Sequence, residues 1–238
     1  MPFALSVIRG ELTLSDCPLL TEQEIGELQS AFTVFDWREE LISRLQKEIS
    51  NMDLAAIAPG IGAELKNGSI TLKCMGREFT VSPSGELTTR GPMTPWVKIL
   101  LLHYIRTSGS GELTGRWVSF SELRGGMVKF SSFTRDCEQP MTELFDKDFE
   151  KAASILSAMG AKPKTGFTTE KAWELHLLPK IPVTILYWPG ETNDGEEFPA
   201  KLKVIFDSTA DRYLDVESLI FLVEGLARNM ERQFGMQH

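Results

Sequence analysis

Cysteine, positive charge and long apolar runs are all in short supply here, and each shortage removes a class of function. Only three cysteines occur in 238 residues, Cys17, Cys74 and Cys137. They are odd in number, far apart and in no C-x-x-C pair, so neither a disulfide framework nor a self-contained zinc or iron–sulfur site is read from them. A reducing compartment is expected, and a cytoplasmic location with it. Lys and Arg number 25 against 33 Asp and Glu, a formal net charge of −8. Phosphate backbones are held by clustered positive charge, so nucleic acid is not expected as a partner. The densest apolar run, residues 99–102 with its neighbours, falls far short of the ~18 to 20 residues a membrane-spanning helix requires. Residues 2–8 are mostly apolar but lack the basic start and small-residue cleavage site of a signal peptide. Neither membrane insertion nor export is expected.

Motifs that announce a chemistry are missing as well. There is no G-x-S-x-G elbow, no G-x-x-x-x-G-K-[ST] run and no G-x-G-x-x-G after a strand. No internal repeat or low-complexity linker interrupts the chain.

What remains is an ordinary globular composition, 42% hydrophobic and 24% charged, with enough chain to bury a full core. Trp37, Leu41, Leu45, Ile49 and Met52 recur at helical spacing and predict an amphipathic helix over 36–52. After the breaks at Pro59, Gly60 and Gly62, residues 69–74 and 78–82 read as two strands of a small meander, preceded by the turn signal Asn67-Gly68. Thr94-Pro95 supplies an N-cap and a first-turn proline for a helix over 96–106, apolar on almost every side and so expected in the core. A short strand is expected around 116–120, a turn at Gly125-Gly126, and one helix over 144–159 ended by Gly160 and Pro163. Three strands follow around Trp173, over 183–188 and over 201–206, and then a terminal helix over 216–234 capped by Asp215. The connection 189–200 is too short for a helical crossover, so the last two strands should form an antiparallel hairpin. Elements come in clusters, without regular βαβ alternation. The fold class expected is α+β, a mixed or antiparallel sheet with packed helices, with residues 1–30 as an N-terminal extension and 31–238 as a single domain.

Four groups of residues carry candidate chemistry. An acidic stretch includes Asp194, Glu197 and Asp207; hard cations prefer oxygen ligands, so these three could form a metal site at the mouth of the hairpin, with His103 as acid–base group. The spacing matches no calcium loop, and capping and turn roles explain most of these acids. His103 itself lies in the helix over 96–106, followed by Tyr104, where a hydrogen-bonded core histidine is the commoner outcome. Ser119, Ser121 and the cysteines find no base or orienting group to make them nucleophiles. The run Ser108-Gly109-Ser110-Gly111 to Gly115 is the best candidate for a mobile loop, a hinge or a lid. The aromatics Trp96, Trp117, Trp173 and Trp188, with several phenylalanines, suit a pocket wall but more commonly fill a core.

Several phrases together resemble an uncharacterised bacterial and archaeal domain family of unknown function. They are Leu101-Leu102-His103-Tyr104-Ile105; Gly115-Arg116-Trp117-Val118-Ser119-Phe120-Ser121-Glu122-Leu123 with Gly125-Gly126; Leu178-Pro179-Lys180-Ile181-Pro182; Glu196-Glu197-Phe198-Pro199-Ala200; and Ile205-Phe206-Asp207 followed by Tyr213-Leu214 and Glu217. The resemblance extends over about residues 37–222. It implies an anaerobic setting and, since some members carry the domain beside an iron–sulfur module like that of corrinoid methyl-carrier proteins, a corrinoid or iron–sulfur protein as partner. No activity and no cofactor come with it. Residues 188–198 are longer than the turn the family would suggest, and this chain has no cysteine-rich module of its own. The function expected is a non-enzymatic accessory domain that binds a cofactor or partner through His103, Tyr104, Trp117, Trp188, Asp207 and Tyr213. The alternative is a metal-dependent hydrolase or transferase built on the acidic residues.

Overall fold

The computed structural model describes residues 7, 13–34, 37–109, 111–169, 171–193 and 196–236. A helix α1 (Glu22–Val34) precedes the expected amphipathic helix, α2 (Trp37–Ser50), which buries Ile42, Leu45 and Ile49 at spacings of three and four. The boundary drawn at residue 30 falls within α1. After a single turn α3 (Leu54–Ile57), capped by Asp53, the chain enters a four-stranded antiparallel meander. Its strands are β1 (Glu64–Lys66), β2 (Ser69–Cys74), β3 (Arg77–Val81) and β4 (Leu87–Thr89). Two tight turns set its register. Asn67 and Gly68 have φ of 51° and 78°, and Met75 and Gly76 have 48° and 77°, the paired left-handed conformations that match the twist of the flanking strands.

Helix α4 (Pro95–Thr107) starts where Thr94 and Pro95 predict, with the Thr94 hydroxyl accepting from the Val97 N–H. Six of its residues are buried, and it packs along α2. Beyond β5 (Trp117–Ser119), Gly125 adopts φ 82° and α5 (Gly126–Phe133) begins. Only glycine fits at 126, because a Cβ there would lie 1.9 Å from the Phe120 carbonyl oxygen. Helix α5 runs directly into a π-helical segment, Thr134–Glu138. The single helix expected over 144–159 is two helices, α6 (Gln139–Lys147) and α7 (Phe149–Ala158). Asp148 separates them: its φ of −158° breaks the helical path, and its carboxylate caps the Lys151 N–H at 3.0 Å.

The second sheet holds β6 (Lys162–Pro163), β7 (Ala172–Leu178), β8 (Ile181–Trp188) and β11 (Lys201–Asp207) in the order β5-β11-β8-β7-β6, all pairs antiparallel. This α+β architecture and the antiparallel pairing of the three late strands agree with the sequence. The connection 189–200 extends the β8–β11 hairpin as an arm of two short strands, β9 (Glu191–Asn193) and β10 (Glu196–Phe198). Seven of the eight residues of β8 are buried, since it is covered by strands on both sides and by helices. The terminal helix α8 (Val216–Met236) is capped by Asp215, which accepts from the Ser218 N–H at 2.8 Å. It packs on the π segment, α6 and α7, and reaches β7. Buried side chains from both sheets and these helices form one continuous hydrophobic cluster. Among the described residues no helix is long and apolar enough to cross a membrane.

Candidate functional site

The two sheets meet edge to edge. Opposite Ile181 and Pro182 of β8, β7 carries one extra residue, Leu177, and this bulge turns the Leu177 carbonyl outward to accept from the Met75 N–H at 2.8 Å. From that contact the edges of β2 and β7 bound a cleft of about 540 Å³, within the range of ligand sites. One wall carries Glu64, Thr71, Lys73 and Glu78, and the other carries Lys162, Glu174 and His176. Leu72, Leu175, Leu178 and Met159, all nearly fully buried, make its apolar floor.

Glu174 and His176 are two apart on β7, so their side chains leave the same face. His176 Nδ1 lies 3.2 Å from the Pro179 carbonyl oxygen. A carbonyl only accepts, so Nδ1 carries the proton, and Nε2 is left facing the cleft 3.6 Å from Glu174 Oε1. Glu174 also pairs with Lys164 from the neighbouring segment. The cleft therefore holds a histidine beside a carboxylate, each oriented by a second group. Such a pair can donate to, accept from or exchange a proton with a bound polar molecule. The sequence places His176 on one strand face with Glu174, but only the meander, far away in the chain, makes that face a wall.

The residues singled out from sequence occupy other places. Tyr104 is fully buried; its hydroxyl donates to the Ile61 carbonyl at 2.8 Å and accepts from the Lys180 N–H at 3.1 Å, and burial pushes its phenol up. Tyr213 packs with its ring centroid 6.1 Å from that of Tyr104 and donates to the Gly111 carbonyl at 2.6 Å. Asp207, 1% exposed, accepts from the Gly115 N–H at 2.6 Å, the Thr209 N–H at 3.0 Å, and the hydroxyls of Thr209 and Thr114 at 2.7 and 3.1 Å. Burial alone would raise its carboxyl, yet the bonds from Thr209, Gly115 and Thr114 outweigh it and hold the group below the usual carboxylate value. Tyr213 and Asp207 thus tie down the glycine-rich run 108–115, with the Tyr104 ring beside that of Tyr213. Gly109 lies flush on Tyr213, whose ring a Cβ at 109 would meet at 2.3 Å. The run expected to be a mobile hinge or lid is bonded to the core at Gly111, Thr114 and Gly115, because its glycines admit close approach as well as freedom.

His103 accepts at Nδ1 from the Arg106 guanidinium at 3.2 Å; burial and that neighbouring charge lower its pKa and keep it neutral. Trp117 and Trp188 are half-buried on strand ends, under Lys164 and Lys201 respectively. Glu197 is exposed on β10, and Asp194 lies outside the described residues. Among the described residues no group of three or more His, Cys, Asp or Glu is placed to hold a metal ion. Ser119 caps a 3-10 turn, its hydroxyl 2.8 Å from the Glu122 carboxylate and 2.9 Å from Ser121. Cys74 and Cys137 are buried, and burial pushes both thiols up, that of Cys74 to about 12.

One buried carboxylate escaped sequence reasoning altogether. Glu138 closes the π segment and accepts from Lys203 Nζ at 2.7 Å, Thr134 Oγ1 at 3.0 Å and the Val204 N–H at 3.1 Å. Strand β5 pairs with β11 only over Ile205 to Asp207, so Glu138 takes up the next donor along that edge.

The family model described as "Domain of unknown function (DUF3786)" matches residues 53–229, a span that holds both sheets, the cleft and most of α8. No curated protein and no solved structure matches the chain.

Proposed function

We propose that this chain, which belongs to the family of the domain of unknown function DUF3786, is a non-enzymatic binding module whose ligand seat is the cleft between its two sheets. The observation that carries this reading is the cleft itself: an opening of about 540 Å³ with polar side chains of both signs on rigid strands above an apolar floor. Ligand sites combine apolar area with a few fixed polar groups in this way. The fixed imidazole of His176 and the carboxylate of Glu174 would orient the ligand. The side chains closest to a nucleophile or metal-ligand role are otherwise engaged, since both oxygens of Asp207 accept internal hydrogen bonds and the thiols of Cys74 and Cys137 are buried.

The resemblance to domains found beside corrinoid-type iron–sulfur modules supports an accessory role in anaerobic one-carbon metabolism, in the cytoplasm. A corrinoid or iron–sulfur centre would then reside on a separate partner. Native mass spectrometry of protein purified without oxygen tests the reading. A bound mass that is retained by the wild type and lost in His176→Ala and Glu174→Gln is expected. A bound compound that the protein converts to product would replace the binding module with an enzyme, and a bound mass indifferent to both substitutions would remove the cleft as its seat.

A further inference from the structure

We infer that the cleft takes a small organic anion, its carboxylate or phosphate head held by Lys73 and Lys162 and its apolar part laid on the floor. This rests on the cleft being the ligand seat and names the class of ligand. The two lysines come from opposite walls, Lys73 from β2 and Lys162 from β6, and both are exposed. Each has a carboxylate opposite it in register, Glu78 across from Lys73 and Glu174 across from Lys162. Among the described residues neither lysine nevertheless has an ion-pair partner.

The carboxylates of the cleft are engaged by other lysines. Glu64 pairs with Lys66 at 2.7 Å; the bond and charge of Lys66 hold its carboxyl below the usual range, and Lys73 contributes least. Glu174 bonds to Lys164 in place of Lys162, so two lysines compete for one carboxylate. Only Glu78 is left to offset Lys73 and Lys162 together. With the lysines bound to its walls, the cleft sets Lys66, Lys73, Lys162 and Lys164 against Glu64, Glu78 and Glu174, a surplus of one positive charge. The chain as a whole carries −8, so the sign is inverted locally. A cationic ligand would have to displace a lysine from Glu64 or Glu174, or sit at Glu78 beside Lys73. An anion joins lysines that lack a partner, through charge-assisted hydrogen bonds.

The floor decides against an inorganic ion. Leu72, Leu175, Leu178 and Met159 offer apolar area that a bare phosphate leaves in contact with water and that an organic body covers.

Four probes with the same hexyl tail test this: hexanoate, hexyl phosphate, hexanamide and hexylammonium, each titrated into the isotope-labelled full chain and followed by amide NMR shifts. The amides of Lys73, Leu175 and His176 should move saturably with an anion, and the tighter of the two anions identifies the head. Lys73→Gln and Lys162→Gln should each weaken that anion by about tenfold, the worth of about one hydrogen bond to a charged group, and hexanamide should be weaker than it by roughly tenfold. Lys47→Gln, exposed on α2, should leave the affinity unchanged. Hexanamide binding as tightly as the anions, hexylammonium binding more tightly, or an anion indifferent to both lysine substitutions would overturn the inference and leave the cleft as a ligand seat. No shift in the cleft with any probe would overturn it as well. The seat then stands if a mass retained by the native protein is lost in His176→Ala, and falls with the inference if it is not.

Discussion

Removing the carboxylate of Asp207 should unfasten the glycine-rich run from the sheet at a calculable cost. Asp207→Ala deletes four hydrogen bonds, two from main-chain N–H groups and two from hydroxyls. The hydroxyls can turn to other acceptors, and Thr114 already lies 2.8 Å from Ser208 Oγ. The amides of Gly115 and Thr209 cannot turn. Thr209 is fully buried, so its stranded N–H costs ~1–3 kcal/mol, while water can reach the amide of exposed Gly115, so the loss should fall at ~1–4 kcal/mol. Urea unfolding followed by tryptophan fluorescence reads this as a lower midpoint at unchanged slope; at ~2 kcal/mol/M, a ~2 kcal/mol loss moves the midpoint by ~1 M. Asp207→Asn, which keeps one acceptor, should lose less. The pH dependence has a definite sign. Because the folded carboxyl is held below its ordinary value of 3.8, its contribution is fully present above that value and disappears as pH falls through the folded one. The gap between wild type and Asp207→Asn should therefore be constant from pH 7 to 5 and close below about pH 4. An Asp207→Ala protein as stable as wild type at pH 7 would refute the assignment of this carboxylate to holding the loop.

Three further outcomes are expected. Glu138→Ala leaves the buried Val204 N–H without its acceptor and half-buried Lys203 without its partner and should cost ~2–4 kcal/mol, with part restored by adding Lys203→Met, measured by denaturant melts of the single and double variants. Gly109→Ala drives a methyl into the Tyr213 ring and should lower stability by ~1–3 kcal/mol in thermal unfolding, whereas Gly235→Ala, with nothing within 4 Å in the last turn of α8, should be neutral or stabilising. In thiol titration of the native protein at pH 8, half-exposed Cys17 should react at once, and Cys74 and Cys137 only after denaturant is added.

The elements legible in the sequence are those whose signals are local. The threonine–proline start of α4, the Asn67-Gly68 turn and the apolar stripe of α8 each lie within one element, and the structure follows them to within a residue or two. The division of α6 from α7 was less visible, because Asp148 sits in a continuous apolar periodicity and its capping depends on a backbone angle that the pattern does not encode. The π segment is invisible for a similar reason: one extra residue in a helical turn leaves composition unchanged while it carries Glu138 inward to the edge of β11.

The cleft shows where local reading stops. Period-2 alternation places Glu174 and His176 together on the outer face of β7, and Thr71 and Lys73 together on the outer face of β2, so each row taken alone reads as the polar side of a half-buried strand. What turns two polar rows into opposing walls is the lengths of their neighbours. Strand β1 stops at Glu64 and β6 has only two residues, so the outer edges of β2 and β7 are left half covered where they approach. The bulge at Leu177 then fixes the approach by turning a carbonyl toward Met75, whose left-handed turn conformation presents its N–H to receive it. Three kinds of local irregularity, short strands, a bulge and a tight turn, therefore have to coincide in space before Glu174 and His176 come to line a cleft. None of the three changes the hydrophobic pattern from which the strands themselves are read.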